Sequence, residues 1–358
     1  MTRDYSKYLA LTGSKAIPDR QFSPLEKLGW QPFFSHQIDL ETSAENPPVR
    51  VIEVHRNGLH VVGDGIDVVI PSRLEVTVGD WLQYDPENPS NSTVLDRKSI
   101  FERKAPGTER RRQLIAANVD TVFIVSSCNK DFNIARLERF VVLAFEADVT
   151  PVILLTKADL CEDPSSFVLS ARTISDRVVV DALNALSDEP VTKLAPWCKP
   201  GQTVAFLGSS GVGKSTLVNA LFNDGVAETA AVRENDSKGR HTTTTRQLHF
   251  TSDGCGVLDT PGMRELQLTD VESGIADVFS DLTDLAHQCK FRDCGHDTEP
   301  GCAIKAALAA GQIDPGRLAR WTKLATEARF NSMSLSERKA GDRSLHKVIK
   351  DIQRNNRK

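Results

Sequence analysis

A glycine-rich run, Gly208-Ser-Ser-Gly-Val-Gly-Lys-Ser215, follows the apolar stretch Thr203-Val-Ala-Phe-Leu207 and opens a helical pattern over 214–222. The spacing is G-x(4)-G-K-[ST], in the strand–loop–helix context that a phosphate loop needs. The glycines let backbone N–H groups wrap phosphate oxygens, and the helix N-terminus adds a positive dipole. Lys214 is expected to reach the β- and γ-phosphates, and Ser215 to ligate Mg²⁺. The residues expected to bind nucleotide here are Gly208, Ser209, Ser210, Gly211, Val212, Gly213, Lys214, Ser215 and Thr216. The loop alone does not choose ATP over GTP.

Thr156-Lys157-Ala158-Asp159 makes that choice. It follows the apolar run Val152-Ile-Leu-Leu155 and is similar to the N/T-K-x-D motif that reads guanine. Only guanine offers N1–H and a 2-amino group to one carboxylate, which Asp159 supplies. Lys157 is expected to lie against the ring and brace the phosphate loop. Thr156 stands where asparagine is commoner. Val180-Asp181-Ala182-Leu183 sits where a serine-led loop often touches guanine O6, with Asp181 in place of that serine.

Asp259-Thr260-Pro261-Gly262 matches D-x-x-G, with Asp259 expected to hold Mg²⁺ through water and the Gly262 N–H to sense the γ-phosphate. Between this motif and the phosphate loop lies Gly239-Arg-His-Thr-Thr-Thr-Thr245, which is expected to supply a threonine to the Mg²⁺ shell. Met263 follows Gly262 where many GTPases carry a water-orienting glutamine, and a thioether cannot orient water. His241, an imidazole that can accept from water, is the catalytic candidate; packing or RNA contact is its other reading. The order is permuted, because the base reader precedes the phosphate loop. A sheet tolerates this when the original chain ends were close in space.

The surrounding pattern fits. Thr121-Val-Phe-Ile-Val125, the run at 152–155, Arg177-Val-Val-Val180 and the run at 203–207 read as buried parallel strands, with helical stretches such as 135–147 between them. Before them, from 50 to about 100, short β-rich runs alternate with Asn57-Gly58, Asp64-Gly65 and Gly79-Asp80 turns. A small five-stranded barrel of the OB type is expected there. Residues 1–46 are weakly patterned, and Leu28-Gly-Trp-Gln-Pro-Phe-Phe34 reads as an anchor without a stated target.

Cys289, Cys294, His296 and Cys302 lie within fourteen residues and form a Cys₃His set, expected to close a tetrahedral Zn²⁺ shell with no open position. His287 is the nearby rival ligand. The seven cysteines are odd in number and uneven in spacing, which argues against a disulfide framework and for a reducing cytoplasm. No run approaches a membrane span, and the N-terminus lacks the pattern of a signal peptide. Residues 317–358 carry 12 Lys/Arg against 4 Asp/Glu, so +8 sits on the tail of a chain whose net charge is −4. Such asymmetry suggests a segment that meets an anion, set against a merely solvated helix.

In this combination and order, the motifs resemble the circularly permuted small-ribosomal-subunit biogenesis GTPases, called RsgA or YjeQ. The resemblance runs from about residue 50 to the C-terminus. It implies an OB-fold domain (47–103), a permuted G domain (104–276) and a zinc-binding helical domain with a basic tail (277–358), after an extension (1–46). It further implies a cytoplasmic, monomeric enzyme that hydrolyses GTP to GDP on the 30S subunit, contacts rRNA and uses Mg²⁺ and one structural Zn²⁺. A binding protein with a static nucleotide is the alternative; the intact Lys214, Ser215, Asp259 and Gly262 favour turnover.

Overall fold

The computed structural model describes residues 21–39, 45–55, 57–73, 75–104, 112–222, 246–259 and 271–332. Proline has a helical φ and no N–H to lose at a helix start, and the N-terminal segment uses this twice. Pro24 opens α1 (Pro24–Lys27), capped by Ser23 and Glu26 in a reciprocal box, and Pro32 opens α2 (Pro32–Ser35). These turns bury Phe34 against Trp81 and Leu95, with Leu25, Leu28 and Trp30 around them. The anchor thus has a target, the next module.

Five short antiparallel strands make that module: β1 (Pro48–Val54), β2 (Leu59–Gly63), β3 (Ile66–Ile70), β4 (Trp81–Gln83) and β5 (Thr93–Val94). Their order is β3-β2-β1-β4-β5, and Val49, Val51, Leu59, Val61, Ile70 and Leu82 form its core. Among the described residues no ladder joins β3 to β5. A ribbon of β6 (Ile100–Lys104) and β7 (Arg112–Ala117) then leads out. The chain from 97 to 112 is rich in Arg and Lys. Its described cations are engaged internally: Arg97 holds the buried Asp80 at 2.6 Å, and Lys98 holds Asp120 at 2.6 Å.

β8 (Thr121–Ser127) is buried along its whole length, so it must be covered on both faces. It lies in a parallel set with β9 (Thr150–Thr156), β10 (Val179–Ala182), β11 (Thr203–Gly208) and β13 (Gly256–Asp259), and the antiparallel β12 (Arg246–Phe250) pairs on the far side of β13. The order is β10-β9-β8-β11-β13-β12. Phe123, Val125, Val152 and Leu154 face α5 (Glu189–Leu194) and α6 (Lys214–Leu221) through Leu194 and Leu217. Val122, Ile124, Ile153 and Leu155 face α3 (Ile134–Glu146) and, after α4 (Pro164–Arg172), the C-terminal helices.

Those are α7 (Glu272–Val278), α8 (Ser280–Ala286), α9 (Ala303–Ala309) and α10 (Pro315–Ser332). Gly274 lets α7 approach α3, because a Cβ there would lie 2.3 Å from the Val142 carbonyl. The expected strand at 177–180 begins two residues later, at Val179.

One connection is absent from the sequence reading. β1 pairs with β12, Glu53 opposite Gln247 and Val54 opposite Arg246, so one sheet of eleven strands runs through both modules. A bulge between Val51 and Glu53 in the β1–β2 ladder bends β1 toward this second partner. Arg50, buried, adds a second tie: its guanidinium donates to Leu28 O, to Asn118 O and, at 2.8 Å, to Thr203 Oγ1. Burial lowers its pKa to about 10.

Candidate nucleotide site and metal centre

From β8 the chain steps to β9 and β10 on one side, then returns to β11 on the other. A ligand crevice forms outside the carboxyl ends of strands at such a reversal. The phosphate loop leaves the carboxyl end of β11 and the base reader leaves that of β9, so the fold brings together two motifs that are 49 residues apart between Asp159 and Gly208.

The loop's shape is set by its glycines. Gly208, Gly211 and Gly213 have φ of 145°, 77° and 96°, a region that L side chains avoid. A Cβ on Gly208 would also lie 2.2 Å from the Val125 carbonyl, so only glycine fits between β11 and β8. Gly213 then caps α6 at its N-terminus. The Lys214 ammonium folds back on its own loop, donating to Gly208 O at 2.9 Å and to Ser209 O.

Thr156 explains why threonine serves in place of asparagine. Its hydroxyl is buried and has one proton; the carbonyl of Val212, at 2.6 Å, is a closer acceptor than that of Ser126, at 3.1 Å. Lys157, in the left-handed region with φ of 59°, donates from Nζ to Gly211 O at 2.9 Å. Base reader and phosphate loop are thus laced by two side chains. Asp159 follows in an exposed turn, Ala158–Leu160. Asp181 does not stand free at the crevice, because Lys193 holds it at 3.1 Å.

A further cation lies at the loop that no motif announces. Arg136, in the first turn of α3, donates from Nη1 to Ser209 Oγ at 2.6 Å. The only signal in the sequence is its place after Asn133, whose side chain caps the helix by accepting from the Arg136 N–H at 3.0 Å. His241, the 239–245 run and Thr260, Pro261 and Gly262 lie outside the described residues; of Asp259 the backbone belongs to β13.

The metal centre tests well on geometry. The ligand atoms of Cys289, Cys294, His296 and Cys302 all lie within 4.8 Å of one another. His296 Nδ1 is 3.5 Å from the sulfurs of both Cys289 and Cys302, which are 3.9 Å apart. Zn–S bonds of about 2.3 Å in a tetrahedron put sulfurs about 3.8 Å apart, so the set fits Zn²⁺. The Ala303 N–H donates to the Cys289 sulfur at 3.4 Å. Glu299 braces the loop by accepting from the N–H groups of Gly295, Asp297 and Thr298, at 2.9–3.0 Å. Its own N–H and those donors lower its carboxyl pKa from the ordinary value. His287 ends α8 and is not part of the set.

A family model described as RsgA GTPase matches residues 94–269. The "Small ribosomal subunit biogenesis GTPase RsgA 2" of Vibrio parahaemolyticus is 46% identical over 339 residues, covering 94% of each chain. The "Small ribosomal subunit biogenesis GTPase RsgA" of Mesorhizobium japonicum is 49% identical over 316 residues, covering 86% of this chain and 91% of that one. Among solved structures, YjeQ from Thermotoga maritima aligns with a TM-score of 0.56 at 27% identity, over 77% of this chain and 96% of its own. YloQ, described as a circularly permuted GTPase, aligns at 0.53 and 27%, over 80% and 96%.

Proposed function

The chain belongs to the RsgA GTPase family, and on that premise we propose that it hydrolyses GTP on the 30S ribosomal subunit late in that particle's maturation. The observation that carries the nucleotide reading is the lacing of Thr156 and Lys157 onto Val212 and Gly211. It makes one site of a guanine reader and a phosphate loop that the chain holds in permuted order.

In this reading Asp159 accepts from guanine N1–H and its 2-amino group, and Lys157 lies along the ring. The backbone N–H groups of residues 208–216 wrap the phosphates, and Lys214 leaves its loop carbonyls for the β- and γ-oxygens. Ser215 and, through water, Asp259 would hold Mg²⁺, which neutralises charge between those phosphates. The Gly262 N–H senses the γ-phosphate. His241 orients the attacking water and takes its proton as the bond from the γ-phosphorus to GDP breaks. Cys289, Cys294, His296 and Cys302 hold one structural Zn²⁺, an assignment that the tetrahedral spacing supports.

The proposal extends to 47–103 as an OB-fold domain, 104–276 as the permuted G domain and 277–358 as a zinc-binding helical domain, after an extension over 1–46. The ladders β1–β2, β2–β3, β1–β4 and β4–β5 support the OB reading, since a β3–β5 contact would complete the ring. The barrel, the zinc loop and the tail then face rRNA, and the enzyme works as a cytoplasmic monomer. No described helix is long and apolar enough to cross a membrane.

The test is GTP turnover by the zinc-loaded chain, with and without purified small subunits, for the parent and for His241→Ala. Subunits are expected to raise the parent's rate. His241→Ala is expected to keep GTP affinity while lowering kcat by about 10²–10⁴. A parental rate that subunits leave unchanged counts against the particle; a mutant that matches the stimulated parent removes His241 from the chemistry.

A further inference from the structure

Ser209 is gripped from two directions. Its carbonyl accepts from Lys214, and its hydroxyl accepts from Arg136 of α3, 73 residues earlier in the chain. The Arg136 side chain is exposed, so this bond is not forced by burial. It joins the first turn of α3, which follows β8, to the loop that follows the neighbouring strand β11.

Besides its apolar packing on the sheet, α3 is tied to α10 by charge. Within one turn of Arg136, Glu138 and Arg139 form reciprocal pairs with α10. Arg320 donates to both Glu138 oxygens at 3.0 and 2.8 Å, while Arg139 donates to both Glu327 oxygens at 2.7 and 2.8 Å. The Glu138 side chain is fully buried, with Arg317 a further 3.9 Å away. Two oppositely directed Arg–carboxylate pairs fix both the rotation and the axial position of one helix on the other. On α10, Trp321 lies 5.5 Å, ring to ring, from the metal-set residue His296. A continuous line of contacts therefore runs from the phosphate loop through α3 to the metal centre.

We infer that Arg136 is a positioning residue of the nucleotide site, holding the start of the phosphate loop through Ser209, and that the clasp of α3 on α10 sets where Arg136 stands. The inference rests on the nucleotide reading above. It makes α10 a support of the GTP site, by a route separate from D-x-x-G. Arg136 acts on the loop from outside the phosphate cradle and does not touch the reacting atoms. With the loop held, Lys214 and the loop N–H groups are in register for the γ-phosphate; with it released, GDP, which lacks that phosphate, is bound much as before.

The test uses the full-length, zinc-loaded chain and measures GDP affinity, GTP affinity and single-turnover hydrolysis for Arg136→Ala, Arg136→Lys, Ser209→Ala and the double alanine variant. Arg136→Ala and Ser209→Ala are each expected to slow hydrolysis about tenfold with GDP affinity within about twofold of the parent. The double variant is expected to be no slower than either single, because both remove one bond. Lysine, which keeps the charge and a donor, is expected to restore part of the rate. A fifth variant, Glu327→Gln on α10, is expected to slow hydrolysis in the parent background and to add nothing to Arg136→Ala. Parental rates in the Arg136 and Ser209 variants, or strict multiplication of their effects, would overturn the inference. Glu327→Gln slowing both backgrounds equally would overturn its α10 half. Loss of GDP binding by the parent itself would instead overturn the nucleotide reading.

Discussion

A single hydroxyl decides whether Thr156 can stand where asparagine is commoner. What the position requires is one buried donor aimed at the phosphate loop, and Thr156 supplies it to Val212 O. The carboxylate at Asp159 has no such substitute, because guanine presents two donors to one acceptor pair. Asp159→Asn exchanges an acceptor-only group for an amide, and GTP affinity is expected to fall by about 3 kcal/mol, the scale of two charge-assisted bonds. Titration of a fluorescent GTP analogue measures this; equal binding by mutant and parent would remove Asp159 as the base reader. At this scale the sequence was most legible. The phosphate loop, the base reader and the cysteine set each concentrate their chemistry in a few contiguous residues. Arg136 was illegible for the opposite reason: its contact with Ser209 is made by topology, and nothing local to α3 marks it.

Among elements, the long apolar strands and the amphipathic α3 were read to within a residue or two, because burial on two faces leaves an unbroken apolar run. β12 was missed. Its five residues, Arg246–Phe250, include Arg246, Gln247 and His249, and only Leu248 is buried, so it has neither an apolar run nor a full alternation. Its identity comes from its partners, β13 and β1. The loop between α8 and α9 carries the Cys₃His set. It has few buried side chains, and its backbone is held by thiols and by Glu299. Chelation is expected to unfold this loop and loosen α9 while the phosphate loop still binds GTP, because folding and metal binding are linked in such small sites. Elemental analysis should find one zinc per chain. Circular dichroism and GTP titration after chelation check the rest, and a metal-free chain with an unaltered spectrum would contradict it.

For the whole molecule, charge counted along the sequence overstates what is free to meet a partner. Arg317 and Arg320 belong to the basic segment by composition, yet Arg317 holds Asp281 at 2.8 Å and Arg320 holds Glu138. The Arg317 guanidinium keeps the Asp281 carboxyl below its ordinary value, against the opposing effect of burial. That pair's contribution to stability is therefore complete above the ordinary aspartate range and lost as pH falls through the lowered value. The cut that tests RNA attraction lies after Ser332, not at Arg317. Residues 333–358 carry 8 Lys/Arg against 3 Asp/Glu and lie outside the described residues. Their removal is expected to weaken binding to small subunits and to flatten its salt dependence, since fewer counterions are released. An unchanged slope of log affinity against log salt would leave the tail as a solvated segment. The joint between β1 and β12 has a consequence of its own. Because two modules share one sheet, and Arg50 is inserted between them, the distance from the β1–β5 face to the crevice at the carboxyl ends of β9 and β11 works as a caliper setting. A partner touching both meets its second contact already at the right span. The loss of freedom that a slack tether would exact at that moment has been met during folding, and the second contact forms at the high effective concentration of a rigid ruler.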